Sequence, residues 1–391
     1  AAKDKIEDDW VTNTSEIGAP VTNEIQVINN FLGQKGSKVI FSTYQSSHLI
    51  AHAQKENKKH NFDIVFADEA HRCAGTVSEA FGCVLDNKKI KANKRLFLTA
   101  TPKVFTNQTK GQAKSRDIEL ISMDDRSFFG DILYNLKFSD AINNKPSLLT
   151  DYKLIVIGVD DEMIHQQIEN RNLVSLKDGT IVDSENLASH IALAKAIKKY
   201  NLSSVITFHS KVKSAKFFAE VYPKVANRIK FKAPSKRIVN SDYVHGNMTA
   251  YERKKKLNIL KSSNEEKINI LSNARCLSEG VDVPALDGIA FIDPKNSMID
   301  IIQAVGRAIR KSSAKTIGTI VIPVFIENHE GPDEVLNSSP WKKVWNVLNA
   351  LRSHDEVLAE QLDQLRRKMG KRGTVGKPDK YTHDLPESIS H

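Results

Sequence analysis

Cysteine is scarce in this chain. There are three in 391 residues, Cys73, Cys83 and Cys276. No two form a CxxC pair, and an odd number gives no disulfide framework, so the simplest setting is a reducing, cytoplasmic one. No apolar run approaches the roughly 20 residues that span a bilayer, so no membrane is expected as a partner. The opening Ala1-Ala2-Lys3-Asp4 has neither a Met nor the apolar core of a secretory signal, and the chain reads as cut from something longer. No internal repeat of 20–50 residues is visible. A GxGxxG dinucleotide fingerprint, a Cys/His cluster with zinc spacing and a nucleophile–histidine constellation are all missing. A small-molecule enzyme on an α/β fold therefore has little support.

What is present suits two domains and an extension. Apolar residues make up 40% and charged residues 27%, the balance of a protein with real cores. Lys and Arg number 57 against 47 Asp and Glu, a net charge of +10 that favours polyanions such as nucleic acid and serves solubility equally well. Short apolar runs alternate with amphipathic stretches, the signature of an α/β fold with mostly parallel sheets and helices on both faces. The runs at 38–42, 64–67, 95–98, 152–159, 204–208, 267–271, 288–292 and 318–324 are the expected strands. Residues 1–150 form one α/β block, closed by the polar connector Asn143-Asn144-Lys145-Pro146-Ser147. A second block covers 151–328, with a polar excursion from the sheet at 160–190. In the extension, 329–391, Trp341, Val344, Trp345, Leu348 and Leu351 recur at helical spacing. This stripe either packs back on the second block or docks a partner. The last 25 or so residues are polar and basic, and are expected to fray or to serve as a linker.

Four segments carry chemistry. The run NFDIVFADEAHRC places Asp68 and Glu69 at the carboxyl end of a buried strand, where ligands of doubly wound sheets collect. Adjacent carboxylates there suit phosphoryl transfer to water, Asp68 holding Mg²⁺ and Glu69 positioning or deprotonating the water. An acidic helix start is the plainer alternative. RLFLTATP ends a second strand in Thr99 and Thr101, two hydroxyls able to relay hydrogen bonds from phosphates, although Thr-Pro is also ordinary turn chemistry. In DIIQAVGRAIR, Gln303, Arg307 and Arg310 fall at i, i+4 and i+7, on one face of a helix, like a γ-phosphate sensor, and Gly306 permits close packing beside them. A solvated charged face is the alternative. ILSNARCLSEGVDVP offers Ser272 and Asn273 at a strand end, suited to nucleic-acid phosphates, then Gly280 for a tight turn and Asp282 facing a nucleotide. As a whole it can equally be a polar loop.

In their order and separations these segments resemble the superfamily 2 helicases. DEAH resembles motif II, TATP motif III, SNARCLSEGVDVP motif V and QAVGRAIR motif VI. FSTYQS (41–46), VITFHSKVKSAKFF (205–218) and VHGNMTAYER (244–253) resemble motifs Ic, IV and IVa. Within the superfamily the chain looks like bacterial type III or single-polypeptide restriction helicases and DEAD/DEAH helicases with a helicase-associated region. Gln303-Ala304 stands where RNA helicases of the DEAD-box group carry His-Arg, which favours DNA over RNA. The resemblance implies two RecA-like domains, the first incomplete, with ATP and Mg²⁺ between them. It implies Asp68, Glu69 and His71 at the catalytic centre, with Arg307 and Arg310 reaching the phosphates. Gln303, Gly280 and Asp282 would lie near the nucleotide. Thr43, Gln45, His209, Ser210, His245, Ser272 and Asn273 would border the nucleic-acid track. His209 and His245 can equally be structural histidines. Subunits of a restriction or defence complex are the implied partners.

The sequence departs from the family in one respect. No GxxxxGK[ST] loop occurs to cradle phosphates with backbone N–H groups and a lysine. Gly33-Gln34-Lys35-Gly36-Ser37-Lys38 has the letters but not the spacing, and it precedes a strand instead of following one. The expectation is that the loop, its strand and its helix lie upstream of this sequence. The first sheet would then lack a central strand, and the chain alone would hydrolyse ATP weakly or not at all.

Overall fold

The computed structural model describes residues 21–56, 61–76, 82–160, 184–226, 237–261, 266–274, 276, 286–293, 297–311, 317–326, 339–369 and 381–384. The chain separates into two units, Ala1–Asn135 and Leu136–His391.

In the first unit α1 (Ile25–Gly33) packs on α2 (Ser47–Glu56), with a short 3-10 turn, Tyr44–Ser46, leading directly into α2. β1 (Phe62–Ala67) is followed by the 3-10 turn Ala70–Cys73, the two-residue β2 (Gly75–Thr76), β3 (Ala92–Phe97), α3 (Asn107–Ser115), β4 (Leu120–Ile121) and α4 (Arg126–Phe129). β1 and β3 run parallel, Phe62 beside Ala92 through Ala67 beside Phe97, and β2 pairs antiparallel with β4. Gln54 grips the backbone of Lys91 from both sides, accepting its N–H at 2.9 Å and donating to its carbonyl at 3.1 Å, which fixes α2 to the head of β3.

The side chains of β1 alternate as the pleat demands. Val65 and Ala67 join a small core with Cys73, Cys83, Val84, Ile90 and Phe97. Ile64 and Phe66 lie on the opposite face, and Phe66 is 61% exposed. Residues 38–42, expected as a strand, take no regular secondary structure and belong to no ladder, and Phe41 is 93% exposed. A strand exists by pairing, and among the described residues no neighbour offers these five a partner. Likewise, among the described residues, β1 is paired along one edge.

In the second unit the chain order is α5 (Phe138–Asn143), β5 (Asp151–Asp160), α6 (Ser184–Lys199), β6 (Ser204–His209), α7 (Val212–Ala226), β7 (Ile238–His245), α8 (Ala250–Lys261), β8 (Lys267–Ala274), β9 (Gly288–Asp293), α9 (Met298–Ala308), β10 (Ile317–Ile326), α10 (Ser339–Arg352), α11 (Glu356–Met369) and β11 (Tyr381–Asp384). The strands form one seven-stranded sheet in the order β11-β5-β10-β9-β6-β8-β7. Every pairing in it is parallel.

The central strands are apolar on both faces because both are covered. Tyr152, Leu154 and Val156 of β5 face a core shared with Leu257 of α8, Ile301, Ile302 and Val305 of α9, and Val344, Leu348 and Leu351 of α10. Ile155, Ile157 and Val159 face the opposite core, built with Leu193 of α6 and Phe218 and Tyr222 of α7. The stripe Val344, Leu348, Leu351 thus packs back on the sheet, while Trp345 is 39% exposed.

Three local expectations change. Residues 136–150, grouped by sequence with the first block, bond within the second unit: Phe138 N–H donates to the His354 carbonyl at 3.0 Å and Thr150 N–H to the Ile309 carbonyl at 2.8 Å. β7 escapes an apolar-run reading because Asn240-Ser241-Asp242 interrupt it, as an edge strand tolerates. The tail does not simply fray: residues 381–384 pair with 154–157 of β5, whose outer edge would otherwise be bare. The polar excursion falls mostly at 161–183, outside the described residues. Among the described residues no helix is long and apolar enough to cross a membrane.

Candidate functional site

Asp68 and Glu69 emerge where β1 leaves its ladder. Asp68 is exposed, and its Oδ1 accepts the Glu69 N–H at 2.9 Å. Glu69 sits in the left-handed region at φ 51°, turning the chain out of the strand. That conformation is uncommon for a residue with a side chain and is held here by the bonds around it. The Asp68 carbonyl, freed from the ladder, accepts the Tyr44 hydroxyl at 2.6 Å. Ala70 N–H donates to the Leu98 carbonyl at 2.8 Å, lashing the loop to the end of β3.

There Thr99 meets His71. The His71 Nδ1 lies 3.0 Å from Thr99 Oγ1 and 3.3 Å from Glu69 Oε2. Burial, then the nearby Arg72 and Lys103 cations, hold the His71 imidazole below its usual pKa, so the ring is neutral near pH 7. Thr99 Oγ1 also accepts the Thr101 N–H at 3.1 Å, while the buried Thr101 Oγ1 has no hydrogen-bond partner among the described residues. The two strand ends thus form one bonded unit, Asp68-Glu69-His71 with Thr99-Thr101.

In the second unit Gln303 and Arg307 lie on α9, whose start is capped by Ser297 accepting the Asp300 N–H at 3.2 Å. Both amide atoms of Gln303 are buried without a hydrogen-bond partner among the described residues. A buried amide left without a partner is costly, which makes Gln303 a candidate site residue. Arg310 does not share the helical face. α9 ends at Ala308, the Ile309 carbonyl is taken by both the N–H and the hydroxyl of Thr150, and Arg310 forms a bridge with Leu149. Gly306 has no close neighbour either: a Cβ there would meet nothing within 4 Å.

The residues assigned to nucleic acid divide by burial. Thr43 and Gln45 are exposed on the turn before α2, and Ser210 and His245 are half-buried at the ends of β6 and β7. Ser272, Asn273 and His209 are buried. Ser272 Oγ accepts the Thr207 hydroxyl at 3.0 Å, and Thr207 Oγ1 in turn lies 2.9 Å from His209 Nε2. Asn273 Oδ1 accepts the Cys276 N–H at 3.3 Å, and Ser210 Oγ donates to Asp293 at the end of β9. Thr207 and Ser272 tie β6 to β8, and Ser210 ties the end of β6 to that of β9. Gly280 and Asp282 lie outside the described residues. Sequence reasoning passed over Tyr44, Thr207 and Asp293. Tyr44 stood inside FSTYQS, and Asp293 closes an apolar strand run, the position that singled out Asp68.

No group of three or more His, Cys, Asp and Glu gathers among the described residues. Mg²⁺ needs no such cage, since one or two carboxylates and substrate phosphates suffice, and the exposed Asp68 beside Glu69 fits that demand.

Comparison with known proteins adds the following. The family described as "Type III restriction enzyme, res subunit" matches residues 3–104, and "Helicase conserved C-terminal domain" matches 189–312. A probable helicase of African swine fever virus is 26% identical over 386 residues, covering 92% of this chain and 38% of that protein. The ATP-dependent Type ISP restriction-modification enzyme LlaBIII, solved bound to DNA, is 31% identical with a TM-score of 0.77, covering 97% of this chain and 26% of that one. The Type ISP enzyme LlaGI, solved as a nuclease-deletion mutant with a DNA substrate mimic, is 26% identical with a TM-score of 0.56, covering 95% and 22%. The chain therefore spans less than two fifths of the length of each of these relatives.

Proposed function

We propose, from the premise that this chain belongs to the superfamily 2 helicases and lies close to those of restriction enzymes, that it forms most of the motor of an ATP-dependent DNA translocase or helicase. The observation that carries the reading is the loop after β1. Two carboxylates stand at the carboxyl end of a parallel strand, with His71 joining them to Thr99 at the end of the next. Asp68 would hold Mg²⁺ against the phosphates of ATP, and Glu69 would orient the attacking water and take its proton. Mg²⁺ supplies charge neutralisation on the transferring phosphoryl group. The neutral His71 passes the state of Glu69 to Thr99 and Thr101. Gln303, whose amide has no partner among the described residues, and Arg307 would read the phosphates, with Arg310 beside Leu149. Gly280 and Asp282 would border the nucleotide.

DNA is the proposed track. Thr43, Gln45, Ser210 and His245 would meet it at the surface, and Ser272, Asn273 and His209 would hold the strand ends from below. Two RecA-like domains divide these tasks, and subunits of a restriction or DNA-processing system are the proposed partners.

The sequence holds no GxxxxGK[ST] loop, so the phosphate cradle is proposed to come from the N-terminal side of a longer protein. The test is ATP hydrolysis with and without duplex DNA, by this chain and by one extended upstream to carry that loop. DNA-stimulated turnover confined to the longer chain is the expected result. Turnover by the short chain at a normal helicase rate would overturn the assignment of the cradle. Inactivity of both would favour a non-catalytic nucleic-acid-binding or complex-docking module.

A further inference from the structure

The bond from Tyr44 to the carboxylate loop has a consequence of its own. Asp68 is the first residue past the β1 ladder, and Glu69 turns away in the left-handed region, so the Asp68 carbonyl has no ladder partner to accept. The Tyr44 hydroxyl fills that place at 2.6 Å. The Tyr44 side chain also packs against the small core that holds Cys73, so one residue serves both the start of the carboxylate loop and the core beneath it.

Tyr44 opens a tight and well-fastened turn. Thr43 Oγ1 accepts the Ser46 N–H at 3.3 Å, and the Ser47 hydroxyl donates to the Tyr44 carbonyl at 2.7 Å. The turn runs without a break into α2, which Gln54 anchors to Lys91. A group pressing on the exposed Thr43 or Gln45 therefore cannot be absorbed by a loose loop. The phenol between them ends on the main chain of Asp68, the residue proposed above to hold Mg²⁺.

We infer that Tyr44 is a positioning residue that couples nucleic-acid contact at Thr43 and Gln45 to the placement of Asp68 and Glu69. The inference rests on the DNA reading of that turn given above. It offers a short covalent and hydrogen-bonded path between the two sites with a defined link that can be cut, and the coupling is read by cutting it.

The link is cut by Tyr44→Phe, which keeps the ring in the core and removes only the hydroxyl. The measurement is amide hydrogen exchange on the whole chain, wild type and variant, with and without a DNA duplex. Ser46 N–H, bonded to the Thr43 carbonyl at 3.1 Å, reports on the turn. Ala70 N–H and Arg72 N–H, bonded to the Leu98 and Glu69 carbonyls at 2.8 and 3.0 Å, report on the carboxylate loop. In wild type the duplex slows exchange at both. In the variant it slows exchange equally at Ser46, while the protection added at Ala70 and Arg72 falls about three- to tenfold, the range one net hydrogen bond supplies. Exchange without DNA confirms that the variant is folded, a condition a merely structural role would share. Transmission in Tyr44→Phe equal to wild type overturns the inference, as does protection at Ser46 in wild type with none at Ala70 and Arg72. If the duplex protects Ser46 in neither protein, it is the DNA reading of the turn that fails, and the coupling falls with it.

Discussion

At the scale of single residues, His209 shows what burial does to a titratable group. It stands at the end of β6 with its ring 5.2 Å from that of Phe218, and burial pushes its pKa down to about 3. Asp293 pulls it back upward and the neighbouring His190 presses it further down. The sign of the pH effect follows. Above the ordinary value of about 6.5 the ring is neutral in both folded and unfolded chains and contributes nothing. Below it the unfolded chain takes up a proton that the folded one refuses, so stability falls with pH until about 3. By pH 5 that loss is about 2 kcal/mol. His209→Gln keeps a partner for Thr207 and removes the titration. Urea unfolding of the second unit at pH 7 and pH 5 is therefore expected to show a drop about 2 kcal/mol larger in wild type than in the variant, and parallel curves would refute this account. Glu69 is the corresponding test of chemistry. In a protein that carries the phosphate loop, Glu69→Gln is expected to lower kcat by about 100-fold or more while ATP affinity stays within about threefold, because a water-orienting base acts in the transition state and not in binding. DNA-stimulated turnover at the wild-type rate would remove Glu69 from the role.

At the scale of elements, α9 and β10 meet where two glycines behave oppositely. A Cβ on Gly318 would lie 2.5 Å from the Ala308 carbonyl oxygen, so the start of β10 can pass the end of α9 only as glycine. Gly318→Ala is expected to cost about 1–3 kcal/mol or more through forced backbone movement. Gly306→Ala, on the open side of α9, is expected to be neutral or to stabilise by up to about 1 kcal/mol, since Ala is the better helix former. Chemical denaturation of the two variants separates them, and a neutral Gly318→Ala would show that the helix end yields. Another tie of the same kind is the Tyr152 hydroxyl, which donates at 2.7 Å to the fully buried Asp355 carboxylate that also caps α11. Tyr152→Phe is expected to cost about 1.5–3 kcal/mol, as hydrogen bonds to buried charges do, with loosening reported by proteolysis at the α10–α11 turn. The sequence made the central strands legible because a strand buried on both faces must be continuously apolar, as 154–157 and 320–322 are. It made the carboxylate loop legible because carboxylates at a strand end are conspicuous. It hid what depends on partners far along the chain. Arg310 leaves the helix because Thr150, 159 residues before Ile309, captures the Ile309 carbonyl. The segment 38–42 has strand-like letters and, among the described residues, no neighbour to ladder with. β7 has a neighbour and lacks the letters.

At the scale of the whole molecule, the two units differ in how they are held. The second has a seven-stranded parallel sheet with an extensive core on each face. Among its described residues the first has two two-stranded sheets, a core of a few buried side chains, and Phe41, Ile64 and Phe66 turned outward. A two-stranded sheet with one packed face is marginal by itself, because the apolar area it buries barely offsets the entropy of ordering it. Each exposed phenylalanine forgoes roughly 1.5–3 kcal/mol of burial that a covering segment would return. Unfolding is therefore expected in two steps, the first unit opening at lower urea. The tryptophans allow this to be seen, since Trp10 lies in the first unit and Trp341 and Trp345 in the second. In a Trp10→Phe variant, fluorescence follows the second unit alone, while far-ultraviolet circular dichroism follows both. The dichroism should begin to fall before the fluorescence moves, and a covering segment supplied by a longer protein should draw the two curves together. Coincident curves in the chain by itself would mean that the first unit is as firmly held as the second, and that its outward phenylalanines cost it nothing.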